Sequence, residues 1–342
     1  MRTSVWRGRH VCLARRSLSK INSKLNFMLP IYTIATEENF EEMAYLLANR
    51  DVQAGVTQGK YSSGLEHFQT VGLKENRKLS FQNSPTLLKL KKEKKEKVRP
   101  HLRFDLTHSE EDASFNFLSE ELKAEFSIIE TAAVSSNNYD PTFLEIINTN
   151  ELVLDCGAGS RDIYFENVVN FEIAQYPSTD VLGVGEVLPF KDGTFDAVLS
   201  SAVLEHVKNP WLCAQEITRV LKPGGELICC VPFLQPLHGY PHHYYNMSAQ
   251  GLKNLFDQKL EVFDHYVPAS TYPIWTLSWI LSSWTQGLTP DTAEAFKNMK
   301  VRDFLCNPIS LLGEKFVSEL SVDKNFELAS ATVLRAKKPS KS

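Results

Sequence analysis

The sequence has no uninterrupted apolar run that reaches the roughly 20 residues of a transmembrane helix. Its net charge of −4 is too small for whole-chain electrostatics to indicate a nucleic-acid-binding protein. The six cysteines include no Cys-x-x-Cys pair, which disfavours a zinc site or a disulfide framework. We therefore expect buried thiols in a reducing cytoplasm. The 342 residues, 43% of them apolar, suffice for one large domain or two smaller ones.

The most informative stretch begins with the short apolar run 152–154, which a glycine-rich turn follows at once. A run this short, ending in glycines, predicts a buried parallel strand that enters a tight turn. Gly157 and Gly159 in the turn would let a ligand approach bare backbone closely. A second predicted strand, 168–171, ends at Glu172, whose carboxylate can accept both hydroxyls of a ribose. The sequence therefore predicts a nucleoside pocket at the carboxyl edge of a parallel sheet.

Five motifs follow one another across residues 151–233: Asp155-x-Gly157-x-Gly159, then Glu172, then 188–196 (LPFKDGTFD), then 204–207 (LEHV), then 221–225 (LKPGG). In this order they resemble a class I S-adenosylmethionine-dependent methyltransferase of the type 11 kind, a branch with enzymes that methylate small molecules and lipid quinones. The resemblance implies an α/β fold with a doubly wound, mostly parallel seven-stranded sheet and an antiparallel last strand. It also implies S-adenosylmethionine as the cofactor.

The resemblance further implies a cofactor-binding set: Asp155, Gly157, Gly159, Arg161, Glu172, Glu186, Leu188 and Ser200. Asp155 and the two glycines would hold the methionine portion, and Glu172 would bind the ribose. Arg161 stands where the family commonly has a third glycine. It would either pair with the methionine carboxylate or face solvent at a helix start. The adenine loop commonly carries an acid where this chain has Val184, so Glu186 or backbone amides would take over that contact.

The other elements of the domain are predicted from apolar periodicity and from cap and turn residues. Asp140 and Pro141 predict the start of a helix before the first strand. A helix is expected over 211–221, ended by a glycine C-cap. Further strands are expected at 180–184, 195–200, 227–231 and 260–265, and the antiparallel last strand is expected at 326–336.

A loop of unusual composition, 232–246, follows the fifth predicted strand and contains three histidines and three tyrosines. Loops on the edge of a rigid sheet commonly carry function. His238, His242 and His243 are the predicted catalytic residues, because imidazole can remove a proton from an acceptor oxygen or nitrogen near neutral pH. There are two alternatives: the three histidines could bind a metal ion, or the loop could simply be packed by its aromatic residues. We favour acid–base catalysis over a metal site. The LEHV motif is expected to satisfy loop backbone groups, with direct chemistry at His206 as the alternative.

The chain is predicted to divide into a basic disordered leader at 1–27, a small helical module at 28–80, a basic linker at 81–110 and a methyltransferase domain at 111–338 with an aromatic insertion at 268–320. The leader has no acidic residue, so it is either an organellar transit peptide or a disordered extension before a start at Met28. The module resembles one that accompanies bacterial glycan-modifying and methylating enzymes, and its His67 is expected to pack between helices. The basic run 89–103 is expected to be solvated rather than to bind phosphates.

Trp275 and Trp279 in the aromatic insertion share one helical face. The simplest interpretation is a core or lid helix. The alternatives are an apolar wall for a bulky or lipid-linked acceptor and a contact between two copies in a homodimer.

The predicted function is methyl transfer to an oxygen or nitrogen atom of a small-molecule, saccharide or lipid-like acceptor, with no nucleic-acid partner. A nicotinamide-dependent oxidoreductase is one alternative, but Asp162 occupies the third glycine position of Gly-x-Gly-x-x-Gly. A non-catalytic scaffold that keeps a nucleoside-binding fold is the other.

Overall fold

The computed structural model describes residues 27–129, 139–239 and 242–337, so the predicted leader lies outside the described residues except for Phe27. The strands in this part of the chain are β1 (Met28–Pro30), β2 (Tyr32–Ile34), β3 (Lys78–Ser80), β4 (Ser109–Glu110), β5 (Phe115–Asn116), β6 (Val153–Cys156), β7 (Ile163–Phe165), β8 (Val168–Glu172), β9 (Val181–Leu182), β10 (Phe195–Ser201) and β11 (Leu221–Cys230).

The α-helices are α1 (Glu42–Ala48), α2 (Arg50–Thr57), α3 (Gly64–His67), α4 (Pro85–Val98), α5 (Glu120–Phe126), α6 (Pro141–Thr149), α7 (Pro210–Val220), α8 (Ala249–Phe256), α9 (Pro273–Gln286), α10 (Pro290–Lys297), α11 (Val301–Phe304), α12 (Lys315–Ser318) and α13 (Val322–Leu328). Short segments of other helix types are Phe68–Gly72, Arg99–His101, Ala269–Thr271 and Pro308–Leu311. Across the described ranges, we find no helix with the combined length and apolarity that a membrane span requires.

A seven-stranded sheet lies at the centre of the fold, with the strand order β11-β10-β6-β8-β9-β5-β4. Its neighbouring strands pair in parallel from β11 to β5, and the edge pair β4–β5 is antiparallel. The predicted fold class, a doubly wound and mostly parallel α/β sheet, is therefore confirmed. Helix α6 begins as predicted, because the Asp140 carboxylate accepts the N–H groups of Thr142 and Phe143.

The two faces of the sheet bury different side chains, because successive residues of a strand point to opposite faces. Val153 and Val168 pack with Ile147 of α6 on one face. Leu154 belongs to the core on the other face, together with Ile217 of α7. Both faces of β6 and β8 are thus covered, which is the usual environment of continuous apolar runs in parallel strands.

The connection from β6 to β8 is short for parallel neighbours, which commonly need a dozen or more residues and a helix. Residues 157–167 are all described and contain β7 but no helix. Strand β7 pairs antiparallel with β1 in a register that places Tyr164 opposite Leu29. Leu87 of α4 packs with Ile31 and Tyr164. We call β1 and α4 the N-terminal strap, because together they cover the region where a crossover helix is usually found.

Helix α4 corrects the expectation of a linker at 81–110. Lys94 is 2% exposed, and its Nζ donates to Asp180 Oδ2 at 3.0 Å and to the Val168 carbonyl. The Nζ of Lys91 is also buried and donates to two carbonyls of the β8–β9 connection, at 2.7 and 3.0 Å. The expectation that the basic run is exposed to solvent is therefore wrong for these two lysines. Their burial is tolerated because each ammonium group finds hydrogen-bond acceptors, a pairing that the local sequence does not reveal.

The C-terminal region departs from two predicted strands. Residues 260–265 have no regular structure, and 326–336 are divided between the end of α13 and an irregular segment. Helix signals outweigh the apolar alternation here. Ser321 accepts the Lys324 N–H as an N-cap, and Lys324 pairs with Glu327 within the helix at 2.6 Å. The antiparallel edge of the sheet comes from β4 instead.

The N-terminal module has a small core of its own, built around Tyr45 and Phe68. His67 is 3% exposed, and its Nδ1 lies 2.9 Å from the Tyr45 hydroxyl. His67 therefore packs between helices, as expected from the sequence.

Candidate cofactor and acceptor site

The glycine-rich turn leaves the carboxyl end of β6 with two residues in the left-handed region, Gly157 at φ +83° and Gly159 at φ +63°. A Cβ atom on Gly157 would lie 2.5 Å from a methyl group of Val203. Gly157 is therefore required both by its backbone conformation and by close packing. Val203 follows β10 and covers the turn, and both residues are half-buried. The turn thus reaches the surface at the carboxyl edge of the sheet.

Glu172 ends β8 and directs its carboxylate toward this turn. Its Oε2 accepts the Gly159 N–H and its Oε1 accepts the Ile173 N–H, both at 2.7 Å. The residue is 3% exposed, and this burial raises the pKa of the carboxyl group to about 6 although the backbone N–H groups favour its ionised form. A carboxylate offers about four acceptor positions, so Glu172 retains capacity for a hydroxyl. This placement suits the ribose-binding role expected of Glu172 from the sequence.

Asp155 forms a buried ion pair beneath the turn. Its Oδ2 accepts hydrogen bonds from Arg161 Nε at 2.9 Å and from the Tyr139 hydroxyl. The Arg161 guanidinium also lies 4.1 Å from the centre of the Tyr139 ring. Arg161 therefore turns inward, and the expectation of a solvent-facing residue at a helix start is wrong, because β7 rather than a helix follows it.

The second carboxylate oxygen of Asp155, Oδ1, has no hydrogen-bond partner among the described residues although the side chain is 1% exposed. Buried polar atoms are costly unless they are paired. An unpaired carboxylate oxygen beside a bare-backbone turn suits a ligand that donates from an ammonium or N–H group. The donor and acceptor groups at this turn thus fit an amino acid joined to a nucleoside.

Three members of the predicted cofactor set lie deeper in the core. Glu186 accepts the Asn209 N–H at 3.2 Å at the start of α7, and burial raises the pKa of its carboxyl group. Leu188 is 0% exposed, and its N–H donates to Glu216 of α7 at 2.9 Å. Ser200 is 0% exposed near the end of β10. Glu186 and Leu188 thus fasten their loop to α7.

The structure gives the predicted catalytic histidines different surroundings. The Nε2 of His242 lies 3.1 Å from the Ser127 carbonyl. His243 accepts the His238 N–H at Nδ1 at 3.1 Å and directs Nε2 to the Asn246 side-chain oxygen at 2.9 Å. Both ring nitrogens of His243 are therefore engaged. His242 and His243 hold the loop in place.

His238 belongs to a cluster with Glu205 and His206, which sequence reasoning did not bring together. The Nδ1 atoms of His238 and His206 face the carbonyls of Pro236 and His242, at 3.0 and 2.7 Å. Their Nε2 atoms lie 3.9 and 3.8 Å from Glu205 Oε1. Glu205 is 0% exposed, and burial raises the pKa of its carboxyl group to about 8. Burial also lowers the pKa of both imidazoles, so the neutral rings are favoured.

The cluster forms because the loop lies on the LEHV segment. The Glu205 carbonyl accepts the N–H groups of Tyr244 and Tyr245, at 2.7 and 3.2 Å. The predicted support of loop backbone groups by this motif therefore holds for the His206 side chain, which faces the His242 carbonyl, but not for the Glu205 side chain, whose oxygens have no partner among the described residues. The sequence did contain a signal for this cluster. A Glu-His dipeptide follows the fourth strand of the predicted sheet and a histidine-rich loop follows the fifth, and parallel strands end at the same edge of a sheet.

A cavity of about 470 Å³ opens next to this cluster, between α9 and α13. Its lining includes Trp275, Trp279, Gln235, Ser278, Lys324 and Glu327. The Trp279 ring lies 5.3 Å from the ring of His238, centre to centre. The aromatic insertion therefore provides one wall of a cavity that borders the histidine cluster.

A glycine turn after the first parallel strand, faced by a carboxylate at the end of the second, defines a nucleoside-binding α/β domain. Residues 156–229 match the family model described as "Methyltransferase domain". The resemblance drawn from the motifs is thereby confirmed for this segment, which matches a methyltransferase domain.

The similar proteins match over short segments. An uncharacterized methyltransferase of Mycobacterium sp. (strain KMS) is 41% identical over 68 residues, which are 20% of this chain and 27% of the relative. One from Mycolicibacterium gilvum (strain PYR-GCK) is 44% identical over 57 residues, 16% of this chain and 22% of the relative. The chain thus spans about a quarter of the length of these relatives. A solved S-adenosylmethionine-dependent methyltransferase from Thermotoga maritima is 19% identical, covers 34% of this chain and 67% of its own, and superposes with a TM-score of 0.27.

Proposed function

We propose that the whole protein is an S-adenosylmethionine-dependent methyltransferase that acts on an oxygen or nitrogen atom of a small-molecule acceptor. The observation that carries this proposal is the Glu172 carboxylate held against Gly159 in the bare-backbone turn. When bound, the cofactor supplies a methyl group on a positively charged sulfur. Glu172 would hold the ribose hydroxyls, and the free oxygen of Asp155 would hold the ammonium group of the methionine portion. The protein's main contribution is then to align donor and acceptor.

A series of neighbouring residues supports an acceptor site next to the glycine-rich turn with Gly157 and Gly159, which we call the cofactor turn. Val203 packs over Gly157, and Glu205 follows Val203 by two residues. Glu205 faces His238, whose ring lies beside Trp279 at the cavity wall. The cavity is therefore linked to the segment that covers the cofactor turn through two successive contacts, Trp279 with His238 and His238 with Glu205. We assign acceptor activation to the cluster that contains His238 and leave His242 and His243 with the role of holding the loop.

The cavity lining favours an acceptor with an apolar ring face and several hydroxyl groups. Two indole rings offer flat apolar surfaces, and Ser278, Gln235 and the Lys324–Glu327 pair offer hydrogen bonds. A saccharide has this combination of an apolar face and a polar rim. Exposed apolar side chains of α9, among them Ile274 at 64% and Leu277 at 51%, also suit a lipid-linked form of such an acceptor.

Calorimetric titration with S-adenosylhomocysteine tests the cofactor half of the proposal. The wild-type chain should bind it, and NAD should give no binding, because the Asp162 carboxylate pairs with Lys78 at 2.6 Å and stands where a dinucleotide turn requires glycine. Glu172→Ala should weaken binding by at least about tenfold through loss of the ribose contact. Glu151→Ala, an exposed carboxylate before β6, is the matched control. Equal affinity of Glu172→Ala and wild type would contradict the assignment.

A product search tests the acceptor half. The wild-type chain is incubated with isotopically labelled S-adenosylmethionine and separate pools of free glycans, lipid-linked glycans, other small metabolites, protein and nucleic acid. Products that carry the label are identified by mass spectrometry. Trp279→Ala serves as the reference, because a product of the proposed cavity must diminish in that variant. Labelling of protein or nucleic acid alone would overturn the small-molecule proposal.

A further inference from the structure

The Glu205 carboxylate is a buried group that the cofactor site leaves unexplained. Its side chain is 0% exposed, and neither carboxylate oxygen has a hydrogen-bond partner among the described residues. An unpaired carboxylate in an apolar environment is costly, and such groups commonly indicate an ion or ordered water. We propose that Glu205, His206 and His238 bind a divalent transition-metal ion of the zinc class.

The distances between the ligand atoms suit an ion rather than direct hydrogen bonds. The Nε2 atoms of His206 and His238 lie 3.8 and 3.9 Å from Glu205 Oε1, beyond hydrogen-bond range. Zinc binds nitrogen and oxygen at about 2.0 to 2.2 Å, so two of its ligand atoms are at most about 4.4 Å apart. All three ligand atoms lie within 4.8 Å of one another. Small side-chain movements would thus complete the set.

The surrounding backbone fixes the tautomer that metal binding requires. His206 Nδ1 faces the His242 carbonyl at 2.7 Å, and His238 Nδ1 faces the Pro236 carbonyl at 3.0 Å. A carbonyl only accepts, so in each neutral ring Nδ1 carries the proton and Nε2 presents a lone pair. Both lone pairs therefore belong to the atoms nearest Glu205. Orientation of a ligand histidine by a carbonyl on its other nitrogen is the usual outer-shell arrangement of metal sites.

Gly239 makes room for one of the ligands. It has φ +76°, and a Cβ atom there would lie 2.3 Å from His206 Cε1. The loop thus passes directly over the His206 ring. His243 is close to the site but is not a ligand, because both of its ring nitrogens already have partners. The set is two imidazoles and one carboxylate, which zinc and iron(II) both accept with further positions open to water or an acceptor oxygen.

Metal content and affinity test the site without reference to methyl transfer. Full-length protein without a histidine tag is stripped with chelator and dialysed against Zn²⁺, and bound metal is measured by mass spectrometry. We expect one Zn²⁺ per chain. Glu205→Gln and His238→Ala should each weaken Zn²⁺ binding by at least about 10- to 100-fold. His265→Ala is the matched control, since it removes an exposed histidine that lies outside the loop 232–246.

The thermal behaviour of Glu205→Gln separates metal binding from a purely structural role. Without metal, this variant should melt no lower than wild type, because it replaces a buried carboxyl group without partners, whose ionised form is costly there, by a neutral amide of nearly the same shape. With Zn²⁺, the wild-type melting temperature should rise and that of Glu205→Gln should not. The proposal is overturned if the wild type retains no more Zn²⁺ than Glu205→Gln. It is equally overturned if His265→Ala abolishes binding while Glu205→Gln preserves it, or if Mg²⁺ competes as well as Zn²⁺.

Discussion

A methyl group of Val203 lies 2.5 Å from the point where Gly157 would carry a Cβ atom. This contact joins the cofactor turn after β6 to the segment after β10 that supplies Glu205 and His206. The turn proposed to bind the cofactor and the segment that carries Glu205 and His206 are therefore in contact through Val203. A substitution at Gly157 or Val203 should affect both.

Gly157→Ala tests this contact. The substitution forces a side chain onto φ +83° and into Val203, so we expect a loss of about 1 to 3 kcal/mol in the free energy of unfolding and weaker binding of S-adenosylhomocysteine. Gly224→Ala is the matched control, since Gly224 has φ +81° and a Cβ atom there would meet no heavy atom within 4 Å. Urea unfolding and calorimetry measure both quantities. Similar losses in the two variants would mean that the contact with Val203 is unimportant.

Cofactor binding should depend on pH through Glu172. Burial raises the pKa of this carboxyl group to about 6, so it is ionised above that pH and protonated below it. The ionised form accepts ribose hydroxyls, and affinity should therefore fall as the pH drops below about 6, approaching tenfold per pH unit. Titrations with S-adenosylhomocysteine between pH 5 and 8 measure this dependence. In Glu172→Gln the affinity should be lower at pH 8, and the further decrease below pH 6 should be absent. If the variant shows the same decrease as wild type, another group is responsible for it.

The N-terminal strap should stabilise the methyltransferase domain through Lys94. Lys94→Met leaves the buried Asp180 carboxylate without its ammonium partner, and breaking a buried ion pair in this way costs about 3 to 5 kcal/mol. Lys97→Met on the exposed face of the same helix should change stability by less than about 0.5 kcal/mol. Urea unfolding followed by far-UV circular dichroism compares them. Equal stability of both variants would show that α4 does not stabilise the domain through Lys94.

Trp279 should matter for the acceptor and not for the cofactor. Trp279→Ala removes the ring that lies between His238 and the cavity, so methyl transfer to the identified acceptor should show a raised KM. Binding of S-adenosylhomocysteine should stay within about twofold of wild type, because the cofactor turn is untouched. Trp211→Ala, an exposed tryptophan at the start of α7, is the control for loss of an indole. Loss of cofactor binding in Trp279→Ala alone would contradict the separation of the two sites.

Local patterns predicted the central strands and the cofactor turn because short apolar runs and glycines act over a few residues. The N-cap at Asp140 and the position of Glu172 are of this kind. Lys94 could not be predicted, because its burial depends on Asp180, 86 residues away in the sequence. His238 was predicted as a functional residue, but its proximity to Glu205 was missed although both residues follow parallel strands that end at one edge of the sheet. The strand expected at 326–336 failed because Ser321 begins a helix just before it.

The strap has a consequence for how this protein is made. A ribosome releases α4 long before the residues that pair with its buried lysines, because 86 positions separate Lys94 from Asp180. The ammonium groups of these lysines therefore lack their protein hydrogen-bond acceptors until the second and third parallel strands have emerged. A motif block cut out at 151–233 for transplantation into another host would lack the cover over Tyr164 and expose it to aggregation.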